Sequence, residues 1–198
     1  MIKKITLCSP EIPPPLLCPA LEPSFVAHEN PWFKVMSRGT YYTIEYDRPQ
    51  VVVLPILNGN SVIMVRVKRP LIDDCPLELP AGDSIDNETP LLAAMREFKE
   101  ETGIRIDATD RFAPLLPVSE MPGRIPVLLS IFEVNVNQRE FLSRSAHDPD
   151  IASVEVISFS DLVLKIVDGE IYLSSPMAII ARYLLKNYLN NPSMDKIC

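Results

Sequence analysis

Two apolar runs, Val51 to Leu57 and Ser61 to Val67, stand either side of Asn58-Gly59-Asn60 and constrain this chain more than any other feature. Both runs are rich in β-branched side chains, which pack well on a pleated surface. Gly or Asn between two such runs allows a tight reversal, so the pair predicts a β-hairpin. Neither run approaches the ~20 apolar residues of a membrane-spanning helix, and no membrane partner is expected. The chain has 198 residues, 47% hydrophobic and 23% charged, which suits one globular domain or one domain with an arm.

Proline is unusually frequent, 20 residues against 6 glycines, so many chain reversals should be set by proline. Residues 1 to about 25 are proline-rich and lack periodicity, which predicts an arm. From Trp32 to Arg48 the chain turns strand-like, with Tyr41, Tyr42, Thr43, Ile44 and Tyr46 favouring extended backbone. Lys68 to Asp86 reads as loop with short extended pieces. Further strands are expected at Arg111–Val118, Val127–Asn135 and Ser153–Phe159, and helices at Ser160–Val167 and Pro176–Tyr188. The order predicts an α+β class, or a mixed α/β sandwich.

The net charge is −7, the wrong sign for a reader of phosphate backbones, so nucleic acid is excluded as an expected partner. Four cysteines without C-x-x-C spacing and only two histidines argue against zinc. Prolines interrupt the stretch after Met1-Ile2-Lys3-Lys4, so no signal sequence is expected, and a cytoplasmic protein with reduced thiols is the plain reading.

The chemistry concentrates on a helix expected over Pro90–Thr102. Thr89 suits its N-cap, Pro90 its first position, and Gly103 the left-handed residue past its end. At ~100° per residue, Leu91, Met95, Phe98 and Thr102 form a stripe for the core, while Glu97, Glu100 and Glu101 share the far side. Glu97 and Glu101 repel at i, i+4. Arg96 is placed to reach Glu100, which leaves the Glu97/Glu101 pair without a cation from its own helix. Such hard oxygen ligands suit Mg²⁺ or Mn²⁺.

From Gly82 the chain runs five residues to Glu88, seven more, then Arg96-Glu97-Phe98-Lys99-Glu100-Glu101-Thr102-Gly103-Ile104. This resembles the Nudix box, G-x5-E-x7-R-E-U-x-E-E-x-G-U with U bulky and apolar, at every specified position. A chance match in a chain of this length is on the order of 10⁻⁷ from ordinary residue frequencies. The resemblance implies an α/β/α sandwich over residues 49–190, preceded by an arm and strand-like region over 1–48 as a candidate dimerisation element, and followed by a tail at 191–198. It implies metal ligation by Glu97 and Glu101, with Glu100 sharing ligation or holding a metal-bound water, and the Ala81 carbonyl turned toward the metal. Arg96 would orient the carboxylates, and Glu88 would hold the loop–helix geometry.

Arg69-Pro70 followed by Leu77-Glu78-Leu79-Pro80-Ala81-Gly82 is similar to a run in the ADP-ribose and ADP-sugar pyrophosphatases. Met121-Pro122-Gly123 and Asp168-Gly169-Glu170-Ile171 resemble their later turn and the lead-in to their last helix. That likeness implies cleavage of a small nucleotide diphosphate, ADP-ribose or a related ADP-sugar, to AMP and a sugar phosphate, with Mg²⁺ as cofactor and Mn²⁺ as substitute. Arg69 would bind the diphosphate or terminal ribose, Glu78 would line the site, and Trp32 would either stack on the base, across the interface of a homodimer, or serve simply as a core or interface residue. A catalytic carboxylate is expected downstream, among Glu140, Asp148 and Asp150, with the last two favoured. Arg124-Ile125-Pro126 departs from the family's pattern after the Pro-Gly turn. The alternatives are another nucleotide sugar or dinucleotide as substrate, or a non-catalytic ADP-ribose sensor.

Overall fold

The hairpin forms as expected, β4 at Gln50–Leu57 and β5 at Ser61–Val67, with Asn58 and Gly59 carrying the reversal at φ 51° and 75°. The coordinates are a computed structural model that describes residue 21 and residues 23–190; most of the expected arm and the 191–198 tail lie outside the described residues. Side chains of β4 alternate between two cores, as strand geometry requires. Val51, Val53 and Leu57 meet Ala93, Ala94 and Phe98 of helix α1, Pro90–Thr102. Val52, Leu54 and Ile56 meet Leu162 of α3, Phe159–Val167, and Ile179, Ile180 and Leu184 of α4, Ser174–Asn190. The sheet is therefore covered on both faces, and the class is the expected α+β sandwich.

The remaining strands of this sheet are β6 at Leu77–Glu78, β7 at Ala81–Asp83, β8 at Phe112–Val118, β9 at Leu129–Val136 and β10 at Ile151–Ser158. The path is β10-β5-β4-β9-β8, parallel only at β4–β9. Strands β4 and β5 pair only at Ile56–Val62 and Leu57–Ser61. At Pro55 they part, because proline has no N–H to donate to the ladder. A wedge of chain fills the fork: Leu77–Glu78 pairs with β5, Ala81–Asp83 pairs with β4, and the Val53 N–H donates to the Pro80 carbonyl at 2.8 Å. The short extended pieces expected within Lys68–Asp86 are thus interior rungs of the sheet.

A second sheet is made of β1 at Ser24–Glu29, β2 at Lys34–Arg38 and β3 at Tyr41–Glu45, all antiparallel. The strand-like tyrosines fall in β3 as expected, but β1 occupies residues assigned to the arm and to the gap before Trp32. The Arg38 guanidinium forks onto Glu45 at 2.9 and 3.1 Å inside this sheet. The Ile44 N–H donates to the Arg124 carbonyl at 2.7 Å, tying it to the β8–β9 connection. Phe25, Val26, Trp32, Tyr41 and Tyr42 remain exposed on it.

A five-residue helix α2, Gln138–Leu142, was not expected; its capping box, Asn137 with Glu140, was the available signal. A single 3₁₀ turn also forms at Thr109–Arg111. Among the described residues no helix is long and apolar enough to cross a membrane.

Candidate active site

The box helix has the anticipated ends. Thr89 Oγ1 accepts the Leu92 N–H at 3.3 Å, and Gly103, at φ 73°, donates its N–H to the Lys99 carbonyl at 2.9 Å. Phe98 is fully buried and meets Phe112 edge-on, with ring centroids 6.0 Å apart. Ala93 and Ala94 are buried beside it, whereas Leu91 and Met95 only border the core. The glutamate side of the helix is only partly solvated: Glu100 is exposed, while Glu97 and Glu101 are half-buried. It packs against the β6–β7 wedge, so the helix is covered on two sides.

That packing sets the carboxylates. The Ala81 N–H donates to Glu101 Oε2 at 3.1 Å. Burial pushes the Glu101 carboxyl up to about 8, the nearby charges of Glu97 and Glu78 add to the effect, and the Ala81 N–H and Arg69 oppose it. Glu97, its side chain 15% exposed, is also raised by burial, with Arg96 pulling the other way. The Glu97 carboxylate lies directly over Gly82, where any Cβ would overlap it.

Arg96 is the organiser. Its guanidinium donates to Glu88 at 3.0 Å, to Glu97 at 2.7 Å, to Glu100 at 3.0 Å and to the Asp83 carbonyl at 2.8 Å. Glu88 holds it above its ordinary value and is itself lowered by it. This corrects one expectation: Glu97 does have a cation within its helix, one residue away. Of the three helix glutamates only Glu101 has no bond from Arg96; its partner is the Ala81 N–H. Glu88 also accepts the Ile85 N–H at 3.0 Å, which fixes the loop before the helix.

Beside the wedge lies a cavity of about 390 Å³, lined among others by Arg69, Glu78, Ala81, Gly82, Glu120 and Ser175. Arg69 forks onto Glu78 at 2.7 and 2.8 Å, and this contact raises its pKa. The box glutamates stand against the cavity wall at Ala81 and Gly82 and are not part of its lining. Asp148 and Asp150 also lie outside the lining, on an exposed loop pinned to the box helix. The Asp148 N–H donates to the Glu100 carbonyl at 2.8 Å, and the Asp148 carboxylate accepts the Asp150 N–H at 2.8 Å. Ser145 donates to the Gly103 carbonyl, and Lys68 Nζ to the Pro149 carbonyl at 2.6 Å. Glu140 is held by Arg111, far along the other end of this loop. Trp32 is 77% exposed at the β1–β2 turn and does not line the cavity.

Two residues at or beside the cavity carry no role in the sequence reading. Glu120, just before Met121-Pro122-Gly123, enters the cavity, and the Ser175 hydroxyl donates to its carboxylate. Tyr46 sits close by: burial first, then the charges of Asp83 and Glu120, raise its hydroxyl. Glu120 belongs to no periodic pattern and Tyr46 only to a strand-like run, so the folded sheet alone brings them together.

A family model, the NUDIX domain, matches residues 47–174, well over half of the chain. The chain belongs to the Nudix family. Among relatives of this Nudix hydrolase, the methanol dehydrogenase activator of Bacillus methanolicus is 23% identical over 134 residues, covering 68% of this chain and 70% of the relative. The ADP-ribose pyrophosphatase of Bacillus subtilis (strain 168) is 25% identical over 137 residues, with 68% and 70% covered. The ADP-sugar pyrophosphatase of Mus musculus is 42% identical over 59 residues, 28% of this chain and 27% of that one. A crystal structure of an ADP compounds hydrolase superposes with a TM-score of 0.61 at 17% identity, covering 83% of this chain and 92% of that one, and so shares the fold.

Nudix hydrolases generally use divalent metals. Among the described residues no three acidic, histidine or cysteine side chains converge on one point, since Arg96 holds Glu97 and Glu100 while Ala81 holds Glu101. The donor set nonetheless fits a hard divalent cation. It consists of carboxylate oxygens, the space over Gly82 is kept for one of them, and Glu101 is a buried acid with no cation forked onto it.

Proposed function

We propose that this Nudix hydrolase cleaves the diphosphate of ADP-ribose or a related ADP-sugar to AMP and a sugar phosphate, with Mg²⁺ as cofactor and Mn²⁺ as substitute. The observation that carries this reading is one short segment, Leu77 to Gly82. It presents the Arg69–Glu78 fork to the cavity and touches Glu97 and Glu101 on its other side.

A bound divalent cation would neutralise the diphosphate and supply a hydroxide-like water. Glu97 and Glu101 would hold it, with Glu100 and the Ala81 carbonyl completing the donors. Arg96 keeps Glu97 and Glu100 aimed by donating to both, so it orients the carboxylates without binding metal itself. The Arg69 guanidinium, pre-set by Glu78, is shaped to donate to two diphosphate oxygens. Asp148 or Asp150, on the loop tied to α1 through the Asp148 N–H, would take a proton from the attacking water. A screen of ADP-sugars, other nucleotide sugars and nucleoside triphosphates with Mg²⁺, read by chromatography of AMP, tests the reading. Cleavage of triphosphates with no AMP released from any ADP-sugar would overturn it.

We also infer a homodimer, built on the three-stranded sheet, in a reducing compartment. Phe25, Val26, Trp32, Tyr41 and Tyr42 make that sheet's surface aromatic and exposed, which is the composition of an interface core. In the dimer Trp32 would stack on the base in the partner's cavity. Sedimentation equilibrium at micromolar concentration should give twice the mass of 22.2 kDa, and a stable monomer would refute the interface.

A further inference from the structure

The cavity has two chemically different ends. Arg69, which follows β5, and Glu78 of β6 stand at one flank of the fork. Beyond β4 and β9, the chain leaving β8 brings in Glu120, and the start of α4 brings in Ser174 and Ser175. Among the described residues Arg69 is the only cation lining the cavity, and it is already forked onto Glu78. The other charged lining residues, Glu78, Asp83 and Glu120, are acidic. Among the described residues no cation pairs with Glu120; its one partner is the Ser175 hydroxyl.

A carboxylate is an acceptor only, with two oxygens spaced to receive two hydroxyl protons. A vicinal diol presents such a pair, and a carboxylate receiving a ribose hydroxyl is a recurring solution in nucleotide sites. The same charge, unneutralised, repels any further anion brought beside it.

Resting on the ADP-sugar reading above, we infer that Glu120, held in place by Ser175, is a specificity-determining residue that reads the sugar of the sugar phosphate half as a neutral polyol. Its oxygens accept the sugar hydroxyls, and its charge turns away leaving groups that carry an additional phosphate. Glu120 takes no part in the chemical step, which lies across the cavity at the Gly82 wall.

The test uses the full chain with Mg²⁺ and a panel of nucleoside diphosphates joined to neutral sugars or to the same sugars bearing one more phosphate. Steady-state kcat and KM are measured for wild type, Glu120→Gln and Glu120→Ala, with thermal midpoints to confirm folding. Wild type should prefer the neutral member of each pair. Glu120→Gln should leave kcat on the neutral substrate within about twofold, raise its KM by roughly tenfold, the loss expected for one hydrogen bond to a charged group, and narrow the neutral-to-phosphorylated preference by a similar factor. Glu120→Ala should do the same and lose more KM. A preference unchanged in both variants overturns the inference, as does a collapse of kcat at constant KM, which would place Glu120 in the chemical step. The ratio is read on whichever nucleotide is cleaved, so failure of the adenine-nucleotide reading shows separately as the wrong nucleotide being consumed. A wild type that cleaves nothing on the panel overturns both.

Discussion

Glu101→Gln removes a buried negative charge while keeping the side chain's volume and an oxygen to accept from the Ala81 N–H. In the metal-free folded protein the Glu101 carboxyl is pushed up to about 8 from an ordinary 4.5, burial being the largest cause. Between those pH values the folded chain holds a proton that the unfolded chain releases. Stability therefore falls as pH rises through that window and levels off above about 8. At 1.36 kcal/mol per pKa unit the full window is worth on the order of 4–5 kcal/mol, and water reaching the open cleft reduces this to about 2 kcal/mol. For a chain of this size that is a difference of about 4–8 °C in Tm. Calorimetry of the chelator-treated proteins from pH 5 to 9 should show equal midpoints at pH 5 and the variant higher by that amount at pH 8.5. Added Mg²⁺ should then raise the wild type at high pH, as any ligand of the folded state does, and leave the variant nearly unmoved. Turnover should be lost in the same variant. Parallel curves across the whole range, or an equal response of both proteins to Mg²⁺, would refute the argument that Glu101 is a buried charge awaiting a cation.

Other substitutions separate function from fold. Gly82→Ala puts a Cβ where the Glu97 carboxylate lies; that flexible side chain can swing aside, so stability should change by less than about 1 kcal/mol while kcat falls roughly a hundredfold, read by urea denaturation and steady-state kinetics. Gly103→Ala faces both a left-handed backbone, φ 73°, and the Ser145 carbonyl, and should cost about 3 kcal/mol, seen as a lower urea midpoint; a loss under about 0.5 kcal/mol would show that the loop yields freely. Arg69→Lys breaks the fork onto Glu78 and should raise KM for ADP-ribose by about 10–100-fold, with kcat nearly constant; the reverse pattern would place Arg69 on the transition state.

Much of this site was legible in the sequence because its parts are local. Thr89, Pro90 and Gly103 bound the helix through interactions within a few residues, and the box spacing binds Arg96 to Glu88, Glu97 and Glu100 within one segment. A helical wheel assumes one buried face, so it could not show Ala93 and Ala94 packed on one side and Glu101 covered by Ala81 on another. The second cover comes from a wedge whose position depends on two other strands. Glu120 and Ser175 are 55 residues apart and meet only through the sheet, which is why neither stood out. Strand β1 was hidden for a different reason, since Ser24–Glu29 adjoins proline-rich chain and has little apolar alternation.

The fork at Pro55 has a consequence for the order in which this molecule is completed. A three-residue reversal closes the β4–β5 hairpin quickly, but its ladder stops after two rungs and leaves the Val53 amide unmatched. That amide finds its acceptor in Pro80, and neighbouring rungs are supplied by Glu78, Ala81, Gly82 and Asp83. The segment proposed to carry the chemistry is thus the keystone of the sheet and not an ornament on a finished one. Loss of activity during unfolding should coincide with exchange of the Val53 amide, because the same strands close both.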